Sequence, residues 1–162
     1  DPRNSVLDLL RAAGVAPVAA SGNEYHSNAV SAPGCVASVV TVGATNLDDT
    51  LALFSNESKL MVDLMAPGRN ILSSVPTSLY ATKSGTSMAA PHAAGAFAAI
   101  RSRLPSATVN QIEVALKSTG APIKSYDNTY TKPRIQVNAA LEALGAKPQQ
   151  TLTISTTGSG TI

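Results

Sequence analysis

The stretch Ser84-Gly85-Thr86-Ser87-Met88-Ala89-Ala90-Pro91-His92 decides the reading of this chain. It lies between a strand-like segment, residues 78–83, and an Ala-rich helical pattern that runs to about Leu104. A serine on a tight Gly-containing turn that opens a buried helix is where a nucleophile is expected. The helix N-terminus offers unpaired N–H groups and a positive partial charge, both suited to a developing oxyanion. By residue type Ser87 is also a candidate N-cap. Against that, a capping box asks for Glu or Gln three residues on, and Ala90 stands there.

Downstream of the turn, Pro91 must fall in or near the first turn of the helix, where a missing N–H costs least. Residues 93–100 are apolar on every face, which predicts a helix buried on all sides, with Gly95 allowing close packing. Pro105 ends it. Thr108 or Ser106 caps a further helix through Lys117, with Gly120 after its end. Residues 125–132 read as a polar loop, and residues 135–144 as a last helix closed by Gly145.

Upstream, Asn4 is the expected N-cap of a short amphipathic helix carrying Val6, Leu7, Leu9, Leu10 and Ala13, with Gly14 at C′. Residues 15–20 form a short, continuously apolar strand of the buried kind. It stops at Ser21-Gly22-Asn23-Glu24, and open α/β sheets bind ligands at such carboxyl edges. After a polar loop, residues 38–44 read as a second strand, 51–54 as strand-like, and 61–65 as a strand stopped by Ala66-Pro67-Gly68. Residues 71–75 and 79–83 form a hairpin. The fold class expected is α/β, part of a mostly parallel sheet with helices on both faces. Residues 1–145 make one domain; residues 146–162 read as a linker and the start of a C-terminal extension.

The chain has 162 residues, enough for one domain with a core. Net charge is +2 with no Lys/Arg cluster, which gives no electrostatic case for nucleic acid or membrane partners. No apolar run approaches the roughly 18 residues of a membrane span. Cys35 is the single cysteine and by itself assigns no chemistry.

A nucleophilic serine needs a base in reach and an acid behind the base. His26 and His92 are the two histidines. His92 lies five residues after Ser87, about 140° further round a helix, so it points to another face. His26 sits in a polar loop, and an order His26, Asp63, Ser87 is legal because triads recur in several chain orders. Asp63, just before Ala66-Pro67-Gly68, otherwise reads as a structural hydrogen-bonding residue. An α/β-hydrolase fails twice: Ala89 stands where its elbow needs Gly, and no histidine follows His92. Ser21-Gly22-Asn23 reads either as a strand-ending turn or as a functional loop. In the second reading Asn23 donates a side-chain N–H to an oxyanion, and Gly22 lets a substrate backbone approach. Glu24 floors a substrate pocket or is simply solvated.

Gly85-Thr86-Ser87-Met88-Ala89-Ala90-Pro91-His92 resembles the nucleophile motif of the subtilisin-like serine proteases. Further segments match in the same order: Val18-Ala19-Ala20-Ser21-Gly22-Asn23-Glu24, Val39-Val40-Thr41-Val42-Gly43-Ala44, Phe54-Ser55-Asn56 and Val62-Asp63-Leu64-Met65-Ala66-Pro67-Gly68. The resemblance covers about residues 4–145. It implies peptide-bond hydrolysis through an acyl-enzyme on Ser87, with Asn23 as oxyanion donor and Ala20, Ser21 and Gly22 as one wall of the first specificity pocket. It implies a polypeptide substrate and a secreted or extracellular location, assigns no cofactor, and leaves room for calcium in the intact parent. The family's triad runs Asp, His, Ser. Its Asp and His motifs are not in these residues, so the expectation is the C-terminal half of a catalytic domain, with the missing N-terminal half as partner. The alternative is a catalytically inert fragment or non-enzymatic module. The related sedolisin group pairs Ser with Glu and Asp, and Asn23 with the Met-Ala-Ala-Pro-His run fits that group less well.

Overall fold

A parallel sheet and one long helix across it position everything else. The computed structural model describes residues 2–77 and 79–146, with backbone only for residues 2–5. The extension expected beyond Ala146 lies outside the described residues.

Helix α1 (Pro2–Ala12) ends at Gly14, whose φ of 81° lets the Val15 N–H turn back to the Leu10 carbonyl. It starts before Asn4, so Asn4 is not its cap. Strand β1 (Val18–Ala20) is shorter than the apolar run suggests, since Pro17 has no N–H to give a ladder. Strand β2 (Val40–Thr45) is buried throughout and pairs in parallel with β1 on one side and β3 (Leu64–Pro67) on the other. Pro67 does not stop β3 early, because it takes the last ladder position opposite Thr45. Residues 51–54 are not a strand beyond one bridge, Thr45 to Leu51. The carbonyls of Ala52, Leu53 and Ser55 instead share the Tyr126 hydroxyl at 2.8–2.9 Å.

The hairpin β4 (Ile71–Val75) and β5 (Leu79–Lys83) forms its own two-stranded sheet and leads into helix α2 (Thr86–Arg103). Helix α3 (Val109–Thr119) starts at Thr108, which makes a full capping box with Gln111. Strands β6 (Ala121–Lys124) and β7 (Thr131–Arg134) were not expected: sequence patterning assigned no element to residues 121–124 and gave residues 131–132 to a polar loop. The five-stranded order is β1-β2-β3-β7-β6, with β7 parallel to β3 and β6 antiparallel to β7. The Ile135 N–H bonds the Met65 carbonyl, which keeps Ile135 on the sheet, and helix α4 (Val137–Ala143) begins only after it.

One core face joins Val40, Val42, Ala44, Leu64 and Ala66 of the sheet to Ala89, Ala93, Ala96, Phe97 and Ile100 of α2, with Ile112, Leu116 and Ala140 from α3 and α4. A second, small cluster joins Val62, Met65 and Ile123, with Val30 and Leu51 packed against it. Helix α2 is not buried on all sides. Ala93, Ala96, Phe97 and Ile100 face the core while Ala94, Gly95, Ala98 and Ala99 are exposed, and among the described residues a Cβ placed on Gly95 would meet nothing within 4 Å beyond its own helix turn. In α1, Val6 and Leu9 are 59% and 69% exposed, and no strand pairs with the outer edge of β1 among the described residues.

Candidate active site

Two chain segments meet at the carboxyl edge of the parallel strands. The first leaves β1 as Ser21-Gly22-Asn23. The second leaves β5 as Ser84-Gly85 and opens α2. Their junction is a set of three hydrogen bonds: the Thr86 N–H donates to Asn23 Oδ1 at 2.8 Å, the Thr86 hydroxyl donates to the same oxygen at 3.0 Å, and the Gly22 N–H donates to Thr86 Oγ1 at 3.2 Å. Thr86 is fully buried. Asn23 thus serves as a cap for α2 from outside the helix, satisfying one of its orphan N–H groups.

Ser87 follows as the second residue of α2 and is exposed. At that position its N–H has no carbonyl four residues back within the helix. Gly85 precedes the helix at φ 156° and ψ 161°, a conformation open essentially to Gly alone. The Gly85 N–H is held by the Gly68 carbonyl at 2.8 Å, which ties the turn to the end of β3. A Cβ at Gly85 would lie 3.6 Å from the Asn23 amide nitrogen and 3.7 Å from the Ser87 nitrogen. The space in front of Gly85 is therefore bordered by both groups. With Asn23 Oδ1 turned to Thr86, the Asn23 NH₂ is the end left for a ligand.

Pro91 lies inside α2 as its sixth residue, just past the first turn. Its missing N–H would have bonded the Ser87 carbonyl, so that carbonyl is released from the helix ladder.

Ser21 is fully buried and donates its hydroxyl to the Asn56 carbonyl at 2.9 Å, while its N–H goes to the Val42 carbonyl and its own carbonyl accepts from Ser31 and Asn56. Gly22, at φ 108°, has no room for a side chain: a Cβ would collide with Asn56 Nδ2 and Ser31 Oγ. Ala20 ends β1 half-buried beside them. Glu24 is exposed, but its carboxylate is engaged. It accepts from Asn56 Nδ2 at 2.6 Å and from the Ser31 hydroxyl at 3.2 Å. The Asn56 hydrogen bond is the main reason its carboxyl lies below the usual glutamate value.

His92 Nδ1 meets the Met88 carbonyl at 2.8 Å on its own helix, and the His26 backbone N–H donates to Asn56 Oδ1. Among the described residues no hydrogen bond joins either imidazole to the Ser87 hydroxyl. Asp63 accepts from the Thr41 N–H at 2.8 Å and from Lys117 at 2.7 Å, both at the amino ends of the strands. No cluster of three or more His, Cys, Asp or Glu side chains among the described residues is placed to hold a metal.

Sequence reasoning missed Asn56 as part of the site. It is 1% exposed, and its amide makes four hydrogen bonds, all to residues 21–26. The only sequence signal was its place in the Phe54-Ser55-Asn56 segment.

A family model described as the subtilase family matches residues 4–147. Subtilisin BL of Lederbergia lenta is 41% identical over 127 residues, covering 78% of this chain and 46% of that protein. An intracellular serine protease of Paenibacillus polymyxa is 50% identical over 86 residues, covering 51% of this chain and 26% of that protein. Among solved structures, the prenylagaramide maturation protease PagA superposes with a TM-score of 0.76 at 23% identity, over 86% of this chain and 54% of that one. That likeness is one of fold. The chain spans about half the length of the curated relatives it matches.

Proposed function

Because the chain belongs to the subtilase family of serine proteases, we propose that it carries the nucleophile and oxyanion half of a serine endopeptidase. Ser87 Oγ attacks the scissile carbonyl carbon and its proton passes to a base. The carbonyl oxygen becomes an oxyanion between the Asn23 NH₂ and the Ser87 N–H. Collapse breaks the C–N bond, the amine leaves with the proton, and water then hydrolyses the acyl group from Ser87. Substrate backbone runs along Ala20, Ser21 and Gly22, whose side chains are small or turned inward. The substrate is a polypeptide. By the same resemblance we place the parent protease outside the cell.

One observation carries the reading. The Asn23 side chain, from the end of β1, is locked against the first N–H of α2, beside Ser87.

The base and its acid come from a companion segment outside residues 1–162. Three features support this: the His92 imidazole meets a carbonyl of its own helix and no hydrogen bond links the His26 imidazole to Ser87, the outer edge of β1 is unpaired among the described residues, and apolar residues on α1 and α2 are exposed. A missing half-domain would cover such an edge and such faces.

The test uses a fluorophosphonate serine probe on residues 1–162, alone and with a chain carrying the family's Asp and His motifs. The expected result is labelling only with the companion, lost on Ser87→Ala. Fast stoichiometric labelling of the chain alone, lost on both Ser87→Ala and His26→Ala, would revive the self-contained triad. No labelling under either condition would favour an inert module.

A further inference from the structure

Among the described residues no hydrogen bond joins Asn23 to Asn56, yet Asn56 holds both of its flanking peptide groups. The Asn56 N–H donates to the Gly22 carbonyl at 2.9 Å, which fixes the peptide before Asn23. Asn56 Oδ1 accepts from the Glu24 N–H at 3.0 Å, which fixes the peptide after it. The same oxygen takes the His26 N–H at 3.0 Å, and Nδ2 donates to the Ser21 carbonyl at 3.1 Å and to Glu24 Oε2 at 2.6 Å. All four hydrogen-bonding positions of the amide are thus filled, the most an asparagine side chain offers. Residues 21–26 wrap around it, and Asn23 is the residue this wrapping turns outward, toward Thr86.

We propose that Asn56 is a positioning residue for the oxyanion donor: it sets where the Asn23 NH₂ points relative to Ser87. This rests on the reading of Asn23 as that donor. Burial makes the device stiff, because a buried amide that loses one partner leaves an unsatisfied group rather than finding water. The support is itself anchored. Tyr126 gathers the carbonyls of residues 52, 53 and 55, and so holds the segment that delivers Asn56.

The test is Asn56→Asp, which keeps shape and the two accepted N–H bonds but removes both donors and sets a carboxylate against Glu24. In residues 1–162, the side-chain amide signal of Asn23, assigned by its loss in Asn23→Ala, should move. With the companion chain supplied, kcat should fall about tenfold or more with KM little changed. The ceiling is the loss from Asn23→Ala, about 10²–10³, a figure taken over from subtilisin itself. In an Asn23→Ala background the same substitution should change kcat less than about threefold, since coupled residues do not add. Adding Glu24→Gln restores a donor opposite position 56 and should recover part of the loss; if Asn56→Asp alone unfolds, this double variant carries the comparison. An unmoved Asn23 amide signal, or losses from Asn56 and Asn23 that multiply, would overturn the inference. An Asn23→Ala enzyme with unchanged kcat would overturn the oxyanion reading, and the inference with it.

Discussion

Glu113 tests what holds the amino edge of the sheet, away from the serine. One carboxylate oxygen meets the Arg11 guanidinium, and the other meets Lys117 Nζ at 2.5 Å. Arg11 also reaches Asn110 Oδ1 at 2.7 Å and the Ser38 carbonyl at 3.2 Å, while Lys117 reaches Asp63 at 2.7 Å. The network therefore ties α1 and α3 to the approaches of β2 and β3. Burial pushes the Glu113 carboxyl up, but the hydrogen bonds and charges of Lys117 and Arg11 outweigh it, and the group lies below the ordinary glutamate value. Glu113→Gln keeps the shape and removes the charge. Breaking a fully buried pair costs about 3–5 kcal/mol, and an exposed pair about 0–1. Glu113 is 12% exposed, Arg11 22% and Lys117 38%, and both cations keep other partners. The expected loss at pH 7 is therefore about 1–2 kcal/mol. Because the folded pKa is depressed, this stabilisation is complete above the unfolded value and fades as pH falls through the lower folded one. Below that point the native protein carries a neutral Glu113, and the substitution should cost little. Urea unfolding at pH 7 and pH 3, at one ionic strength, reads the difference as a midpoint shift at constant slope. An equal loss at both pH values would refute the electrostatic account, and no loss at pH 7 would refute the network's role.

Two further outcomes concern the site itself. Thr86→Val removes the hydroxyl that joins Gly22 N–H to Asn23 Oδ1 while keeping the volume; it should cost about 1–3 kcal/mol in thermal or denaturant unfolding. Gly85→Ala forces a side chain into a Gly-only conformation at about 1–3 kcal/mol and sets a methyl group before the Asn23 and Ser87 nitrogens. It should therefore lose both stability and companion-dependent labelling, and a variant that labels at the native rate would refute the placing of the oxyanion there.

The parts of the fold legible in the sequence were those whose signal is local. The hairpin at residues 71–83 announces itself by two β-rich runs around Pro76-Thr77. The start of α3 was legible to within two residues, with Ser106 and Thr108 both open as its cap, and the structure takes Thr108 through its capping box with Gln111. The all-apolar run of α2 was read as burial on every side, yet half of that helix faces outward. Periodicity reports which residues avoid water in the completed fold, not which partner covers them. The β6–β7 hairpin escaped for a different reason. Lys132, Pro133 and Arg134 look like loop, and they form a strand only because β3 and β6 lie on either side of them. Pro133 stands opposite Pro122 in the ladder, and the pairs on either side of them, Ala121 with Arg134 and Ile123 with Lys132, carry the strand past both prolines.

The site divides along the same line. Ser87 stands out because its surroundings are contiguous: a Gly that must take a special conformation, then the start of a helix. Asn23 stands out because it ends a strand at an edge where ligands bind. Asn56 has no such local mark. Its amide contacts span 30 to 35 residues of chain, and nothing in Phe54-Ser55-Asn56 says that residues 21–26 will close around it. Gly22 gives the complementary trace, since the side chain it lacks would occupy the place of Asn56 Nδ2. A glycine beside a functional residue is usually credited to ligand access. Here its first cause is the neighbour behind it, and any access it gives to a substrate backbone is a consequence of the same packing.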